Sequence, residues 1–477
     1  MSGSAPARER RFQRVERPAW VVPTRWVVAL ALSLAALRLV GLSRWSLWID
    51  EAFTLHDAFT LSLERLTNFP LGLALIRAWA ELVGTPLDEV WLRLPAAVLG
   101  ALTVPLTAWA FAPLLGARRA WFAAAALSLS SWHWFWSQSA RAYTLMLALS
   151  LLGAGVSLRG LVFARPLVYW LGLAVAASSA LAHPTGALAA LALLAAPSLS
   201  RSDVEPLPYR PRAWIGVLLL LAVGAASSSW LLAVWRDYSW RKSGSSLAHF
   251  ALTTGFYVGV PLALACLCAA WDALRGGSAR MRLLLAGLVV AVSAPVVASL
   301  VVRVSAQYVF VLAPWIAALA ALALDDERSP RWRARALGLL ILAWGAFDLG
   351  AYLSVRHGDR PRWREAYAYV ARARGAEDLV FGMAAPVGGF YLAPGERALR
   401  NSPALLPLTH FSWEDLRYWS AAERGMWFVL NREDLRDWPA DERARFERYL
   451  REQCELRRTF GVRLTPRRLD VEVHRRL

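Results

Sequence analysis

The chain has 477 residues, of which 57% are hydrophobic, and its mean hydropathy is +0.38. This composition is too apolar for a soluble protein and indicates an integral membrane protein. The net charge of +18 comes from arginines scattered between long apolar runs, a pattern typical of topology signals and of contact with lipid headgroups. Because no concentrated basic stripe is present, we expect no nucleic-acid partner.

Eleven apolar runs approach the length of about 20 residues that a helix needs to cross a bilayer. They predict an all-α polytopic membrane protein with about eleven transmembrane helices. A tail of 25 residues with six arginines precedes the first run, and no small-residue cleavage site follows that run, so we expect an uncleaved tail. The runs are 26–42, 91–115, 120–137, 142–158, 167–182, 184–200, 213–235, 251–271, 283–302, 308–324 and 336–353.

The basic residues of the loops orient these spans. Loops on the side of the N-terminus carry twenty Lys and Arg residues, and loops on the opposite side carry eight. By the positive-inside rule the N-terminus is cytoplasmic, and an odd number of spans places the segment after Ser354 outside. We therefore predict a cytoplasmic tail at 1–25, a transmembrane domain at 26–353 with a long first outer loop at 43–90, and an outer domain at 354–477. The expected location is the cytoplasmic (inner) membrane.

The C-terminal segment has a different pattern from the rest of the chain. Short strands are predicted from Asp378 to Met383 and from Met426 to Asn431, and a charged helix is predicted from Ala440 to Leu456. This mixture of strands and charged helices indicates a small α/β domain outside the membrane.

The first outer loop carries the residues best suited to chemistry. It holds seven acidic residues against three arginines, and Asp50 and Glu51 directly follow a Trp-rich stretch that suits the membrane interface. A carboxylate in a partly dry pocket there gains basicity and can act as a general base. The alternative is that both residues cap a short amphipathic helix lying on the membrane.

The string from Leu47 to Thr54, Leu-Trp-Ile-Asp-Glu-Ala-Phe-Thr, resembles the Asp–Glu motif in the first outer loop of family 39 type glycosyltransferases of the GT-C fold. Protein O-mannosyltransferases and lipid A aminoarabinose transferases are members of that group. Further similar segments follow in the family's order, and together they cover about residues 26 to 385. They are Trp91 to Ala97, Ser137 to Tyr143, His183 to Thr185, Gln307 to Pro314, and Pro361 to Arg364.

The resemblance implies the GT-C fold and transfer of a sugar from a polyprenyl-phosphate carrier to a lipid, glycan or protein acceptor on the outer face of the membrane. Asp50 takes the role of catalytic base, and Glu51 orients it or contacts the acceptor. No cofactor follows from the residues; a divalent metal stays open, with no ligands identified. The expected contacts to the donor and its phosphate are Arg141, Tyr143, His183, Arg303, Gln307 and Tyr308.

The chain also departs from the family pattern. Ser139 stands where a Glu is common, Gln307 stands where an Arg is common, and Asn68 to Leu71 replaces a His-Pro-Pro string. A degenerate homologue that binds the lipid without transferring sugar is therefore one alternative. The other is a polyprenyl-lipid transporter or flippase, although transporters favour broken helices in paired halves and the spans show no such pairing.

Polar and aromatic residues within or near the spans carry further expectations. Trp132, Trp134 and Trp136 are suited either to stacking on a sugar or to an interfacial aromatic belt. Asp348 lies inside the last span, where an unpaired charge is costly, so it should face a cavity or a partner. Arg38 is expected to extend to the headgroups.

The topology can be tested with a reporter fused after Ser354. The excess of basic residues on one side predicts activity only for a reporter that works outside the cytoplasm. A pair of fusions, to alkaline phosphatase and to green fluorescent protein, reports both sides with the same junction. Fluorescence with no phosphatase activity would contradict an odd number of spans with the N-terminus inside.

Overall fold

A computed structural model gives the structure of the protein. It describes residues 24–60, 70–84, 88–200, 207–212, 246–275, 278–324, 331–383, 385–392, 405–408, 424–465 and 468–477, together with isolated positions between 214 and 236. Asn68 and Phe69, and most of the predicted span at 213–235, lie outside the described residues.

The membrane part is a bundle of helices, numbered here in chain order. They are α1 (Thr24–Leu37), α2 (Ile49–Thr60), α3 (Pro70–Val83), α4 (Glu89–Leu115), α5 (Ala117–Leu129), α6 (Ser131–Ser137), α7 (Tyr143–Val162), α8 (Pro166–Ala182), α9 (Ala187–Leu199), α10 (Leu247–Val258), α11 (Val260–Leu274), α12 (Ala279–Ser299), α13 (Ala313–Ala323) and α14 (Arg331–Ser354). The C-terminal part adds α15 (Trp363–Ala373), α16 (Ala385–Leu392) and α17 (Ala440–Gln453).

Helices that can cross a membrane dominate the structure. Within the described residues, five are long and apolar enough to do so, and the number is six if one bent pair counts as a single span. Shorter apolar helices lie at Thr24–Leu37, Pro166–Ala182 and Pro184–Leu199. The chain is therefore a mostly helical integral membrane protein, and the predicted count of eleven spans is not confirmed.

One predicted span is bent. The run at 251–271 was expected to form a single helix, but α10 and α11 meet at Gly259 at an angle of 101°. Gly259 has a φ of +76°, and a Cβ atom there would clash with the indole of Trp344. The expectation of one straight span is wrong because a left-handed glycine followed by Pro261 redirects the chain without lowering its hydropathy.

Glycines bring two of the apolar helices into close contact. Gly153 and Gly160 of α7 lie against the backbone of Ala176 and Tyr169 of α8, where a Cβ atom would clash. Small residues at helix crossings permit this approach, which favours association inside a bilayer by van der Waals contact. The α7–α8 pair forms one wall of the bundle beneath the outer loops.

The C-terminal part contains a five-stranded sheet. Its strands are β1 (Leu379–Gly382), β2 (Leu406–Pro407), β3 (Met426–Asn431), β4 (Cys454–Phe460) and β5 (Val471–Arg476), in the order β2-β1-β3-β5-β4. β1 is parallel to β2 and β3, whereas β5 is antiparallel to β3 and β4. The strands predicted at β1 and β3 are confirmed. The predicted helix from Ala440 ends at Gln453 because Cys454 begins β4.

The sheet packs on both faces, which explains why every residue of β3 is buried. One face packs on α17, where Phe428 contacts Phe446. The other face shares a hydrophobic core with α15 and with Leu47, Ala52 and Leu55 of the first outer loop. Hence α2, with the two carboxylates at its start, lies between the helical bundle and the sheet.

Candidate functional site

Asp50 and Glu51 lie in the first turn of α2. The Glu51 carboxylate accepts a hydrogen bond from the backbone N–H of Trp48 at 2.7 Å, which caps the helix. Capping, the alternative considered from the sequence, therefore describes Glu51. Asp50 is half-buried, and the Glu51 side chain has no exposed surface. Glu51 thus has no surface in this structure with which to contact an acceptor.

Glu51 is the centre of a buried ion-pair network. Arg93 of α4 donates from Nε to one carboxylate oxygen at 2.8 Å and from Nη2 to the other at 2.9 Å. The backbone N–H of Ala140 donates to Glu51 at 2.8 Å, and Nε of Arg360 lies 3.6 Å from it. Burial alone would raise the pKa of Glu51, but the two guanidinium groups outweigh burial and hold the pKa below its ordinary value.

The same arginine fixes the chain before α2. Arg93 donates from Nη1 to the carbonyls of Leu42 and Trp45 and from Nη2 to the carbonyl of Ser46. Sequence reasoning recorded Arg93 inside a motif but gave it no role. Its position in an apolar run was the available signal, because a charge buried there needs a partner.

Asp50 has a different environment from its neighbour. Arg141 donates from Nη1 to the Asp50 carbonyl at 3.3 Å and to the Thr54 hydroxyl, one turn along α2, at 2.6 Å. Among the residues that the structure describes, nothing forms a hydrogen bond or ion pair with the Asp50 carboxylate. The structure therefore brings together Asp50 and Arg141, 91 residues apart in sequence, and leaves the carboxylate oxygens available.

Three of the other predicted residues form a row of rings. Tyr143 stacks on Trp136 with ring centroids 3.8 Å apart. Its other neighbour is His183, at a centroid distance of 4.5 Å. His183 lies 6.5 Å from Tyr308 and contacts the Thr185 hydroxyl through Nδ1 at 2.8 Å. The row connects the outer ends of helices that are distant in sequence.

The row ends at a pocket of about 530 Å³, part of which is open to solvent. Gln307, one of the predicted residues, lines it. Trp132 and Trp136 also line it, whereas Trp134 packs beneath the guanidinium of Arg38. Asp50 is not among the lining residues, although Trp48 is. The pocket is lined by Trp48, Trp132, Phe135, Trp136, Thr253, Tyr257, Ser305, Ala306, Gln307, Asp359, Thr465 and Leu469.

The acid of this pocket was not foreseen. Asp359 forms an ion pair with Arg356, and its carboxylate accepts a hydrogen bond from the Tyr257 hydroxyl at 3.5 Å. Burial raises the pKa of Asp359 in spite of Arg356. Arg356 also pairs with Asp348, so the expectation that Asp348 has a partner is confirmed. The charged stretch after the last span was the only sequence signal for this cluster.

Two arginines lie elsewhere than expected. Arg303 is half-buried at the rim and pairs with Glu433 of the C-terminal part at 3.3 Å, away from the Asp50–Arg141 contact. Arg38 is fully buried and contacts Nδ1 of His133 through Nε at 3.1 Å. The expectation that Arg38 extends to the headgroups is wrong, because α1 ends at Leu37 and the next turn directs the chain inward.

Ser139 and the metal question complete the description of the predicted site. Ser139 is buried and accepts a hydrogen bond from Arg360 at 2.7 Å. The hydroxyl that replaces the family's common Glu thus holds the same arginine that approaches Glu51. Within the described part of the chain, no three His, Cys, Asp or Glu residues lie together as a possible metal site.

No family model and no curated protein matches the chain. Its structure is similar to that of ArnT from Cupriavidus metallidurans in the apo state, with a TM-score of 0.56 and 15% identity, over 95% of this chain and 98% of that one. ArnT bound to undecaprenyl phosphate gives a TM-score of 0.56 at 16% identity, over 96% and 99% of the two chains. The chain has the GT-C fold.

A second protein of this fold is also similar. The oligosaccharyltransferase of Archaeoglobus fulgidus, in complex with Zn and sulfate, gives a TM-score of 0.51 at 13% identity, over 88% of this chain and 71% of that one. In the GT-C fold of the present chain, α2 and its carboxylates lie at the boundary between the helical bundle and the sheet.

Replacing Glu51 by Gln should destabilise the protein severely. The amide keeps the size of the side chain but leaves Arg93 and Arg360 without a buried counter-charge, and breaking a buried pair costs about 3–5 kcal/mol. Glu81→Gln is the matched control, because Glu81 also pairs with an arginine but is half-exposed, and such a pair contributes about 0–1 kcal/mol.

The measurement is thermal unfolding of both variants in detergent, with the monodisperse fraction recorded by size-exclusion chromatography. A Glu51→Gln protein with an unchanged midpoint would remove the positioning role assigned to Glu51 and would make the carboxylate a candidate for the chemistry.

Proposed function

We propose that the protein transfers a glycosyl group from a polyprenyl-phosphate-linked donor to an acceptor on the outer face of the cytoplasmic membrane. The observation that carries the proposal is the available Asp50 carboxylate beside Arg141, next to an aromatic pocket, in a chain of the GT-C fold. The similar ArnT structure is bound to undecaprenyl phosphate, which supports a lipid phosphate as the carrier.

Asp50 is the proposed general base. In the transfer, an acceptor oxygen or nitrogen forms a bond to the anomeric carbon while the bond from that carbon to the phosphate oxygen breaks. The acceptor's proton passes to the Asp50 carboxylate, and the electron pair leaves with the lipid phosphate. Glu51 is unsuited to this task because both of its oxygens are hydrogen-bonded to Arg93.

Arg141 is the proposed partner of the leaving phosphate. Its guanidinium is held by the Thr54 hydroxyl and the Asp50 carbonyl, so a fixed positive charge lies beside the base. Charge placed where a phosphate anion develops lowers the barrier without reorganisation at the moment of reaction. Tyr143, His183 and Tyr308 extend the donor side as hydrogen-bonding rings, and Arg303 stays a candidate at the rim.

The pocket suits a sugar. Trp132 and Trp136 offer aromatic faces, and Gln307 and Asp359 offer polar groups within the same lining. Sites that bind ligands of this size combine apolar walls with a few converging polar groups. Trp48 lies in the lining two residues before Asp50, which keeps the base at the edge of the pocket and outside its walls.

The Asp50→Asn variant should lose transfer activity. The amide preserves size and hydrogen bonding but cannot accept the proton, and loss of a general base costs about 10²- to 10⁴-fold. The measurement is transfer from a purified polyprenyl-phosphate sugar, with membrane insertion and expression recorded in parallel. Asp57→Asn, two turns along the same helix, is the control and should retain activity.

An Asp50→Asn protein that inserts normally and transfers at more than about a tenth of the wild-type rate would exclude Asp50 as the base. Equal losses in the Asp50 and Asp57 variants would instead indicate a general effect of charge on α2.

The Arg141→Ala variant should weaken the use of the donor. Charge-assisted contacts contribute about 1.5–3 kcal/mol, so the apparent donor requirement should rise roughly ten- to a hundredfold. Arg77→Ala, which removes an exposed arginine of the first outer loop, is the matched control. Steady-state kinetics against donor concentration separate the two, and an unchanged donor requirement in Arg141→Ala would assign Arg141 to the lipid headgroups.

A further inference from the structure

A second pocket lies entirely in the C-terminal part of the chain. It is formed by three segments: the residues after β3, helix α17 and the residues before β5. Its lining consists of four arginines and two glutamates, which are Arg432, Arg436, Arg443, Arg468, Glu447 and Glu472. We call this set the basic pocket.

Two of these arginines are already neutralised. Arg432 donates from Nε to both oxygens of Glu472, at 3.0 and 2.9 Å, and Arg436 pairs with Glu433 at 3.2 Å. Within the described residues, Arg443 and Arg468 have no ion pair. Four guanidinium groups against two lining carboxylates leave an excess of positive charge in a concave site, which favours an anionic ligand.

The basic pocket adjoins the aromatic pocket by two routes. Thr465 and Leu469 line the aromatic pocket, and Arg468, next to Leu469, lines the basic one. The second route is a row of ion pairs, in which Arg436 contacts Glu433 and Glu433 contacts Arg303. The chain reaches the aromatic pocket again at Ser305, two residues after Arg303.

We propose that the basic pocket binds a phosphate group carried by the acceptor. The inference rests on the proposed function for the acceptor, whereas anion binding itself does not depend on it. Guanidinium groups bind phosphate through paired, charge-assisted hydrogen bonds. An acceptor held by its phosphate in the basic pocket has its remaining part at the edge of the aromatic pocket, where Asp50 would remove its proton.

The test measures binding of inorganic pyrophosphate to the purified full-length protein in nanodiscs of zwitterionic lipid, without donor. Arg443→Ala combined with Arg468→Ala should weaken binding at least tenfold. Arg445→Ala combined with Arg448→Ala removes the same charge from α17 outside the pocket and should leave binding unchanged. Glu447→Gln should strengthen binding severalfold, because it removes a negative charge from the lining.

Equal weakening in the two double variants, or no binding to the wild-type protein, would overturn the proposal. A second series uses nanodiscs that contain phosphatidic acid. Unchanged pyrophosphate affinity supports a phosphate that bulk lipid does not supply, whereas loss of binding makes the pocket a lipid-headgroup site and overturns the acceptor assignment. Asp50→Asn should bind pyrophosphate normally, so a failure of the proposed transfer reaction would be seen separately.

Discussion

The buried ion pair between Glu51 and Arg93 is the interaction on which the rest of the site depends. It joins the first outer loop to α4, and through Ala140 and Arg360 it joins both to the segment before α7 and the segment after the last span. Charges this deeply buried are tolerated only when their hydrogen bonds are satisfied, and Glu51 has four donor contacts. The start of α2 is therefore held in one place, and Asp50 with it.

Adjacent carboxylates consequently have different roles. Glu51 is directed into the protein and stays ionised, with a pKa lowered by its arginines in spite of burial. Asp50 is one residue earlier, half-buried, with its backbone held by Arg141 and its carboxylate available. A rotation of 100° along a helix is enough to separate a structural acid from a reactive one. The proposed reaction depends on this separation, because a base must be both held and unpaired.

Much of this arrangement could be predicted from the sequence, and the limits have physical causes. The apolar runs, the two strands and the contact of Asp50 with Arg141 followed from periodicity and from the order of motifs. The partners of Arg38, Arg93 and Arg356 did not, because sequence reports that a buried charge needs a partner but not which one. The bend at Gly259 was missed because hydropathy does not record backbone direction.

The central claim is that the protein consumes a polyprenyl-phosphate sugar, and the most direct measurement is mass-spectrometric profiling of carrier lipids in membranes of a deletion strain. The account predicts that one polyprenyl-phosphate-linked sugar accumulates and that wild-type protein returns it to its normal level. Identical profiles of every polyprenyl-phosphate sugar in the deletion and parent strains would contradict the account, since an active transferase could not be removed without its donor accumulating.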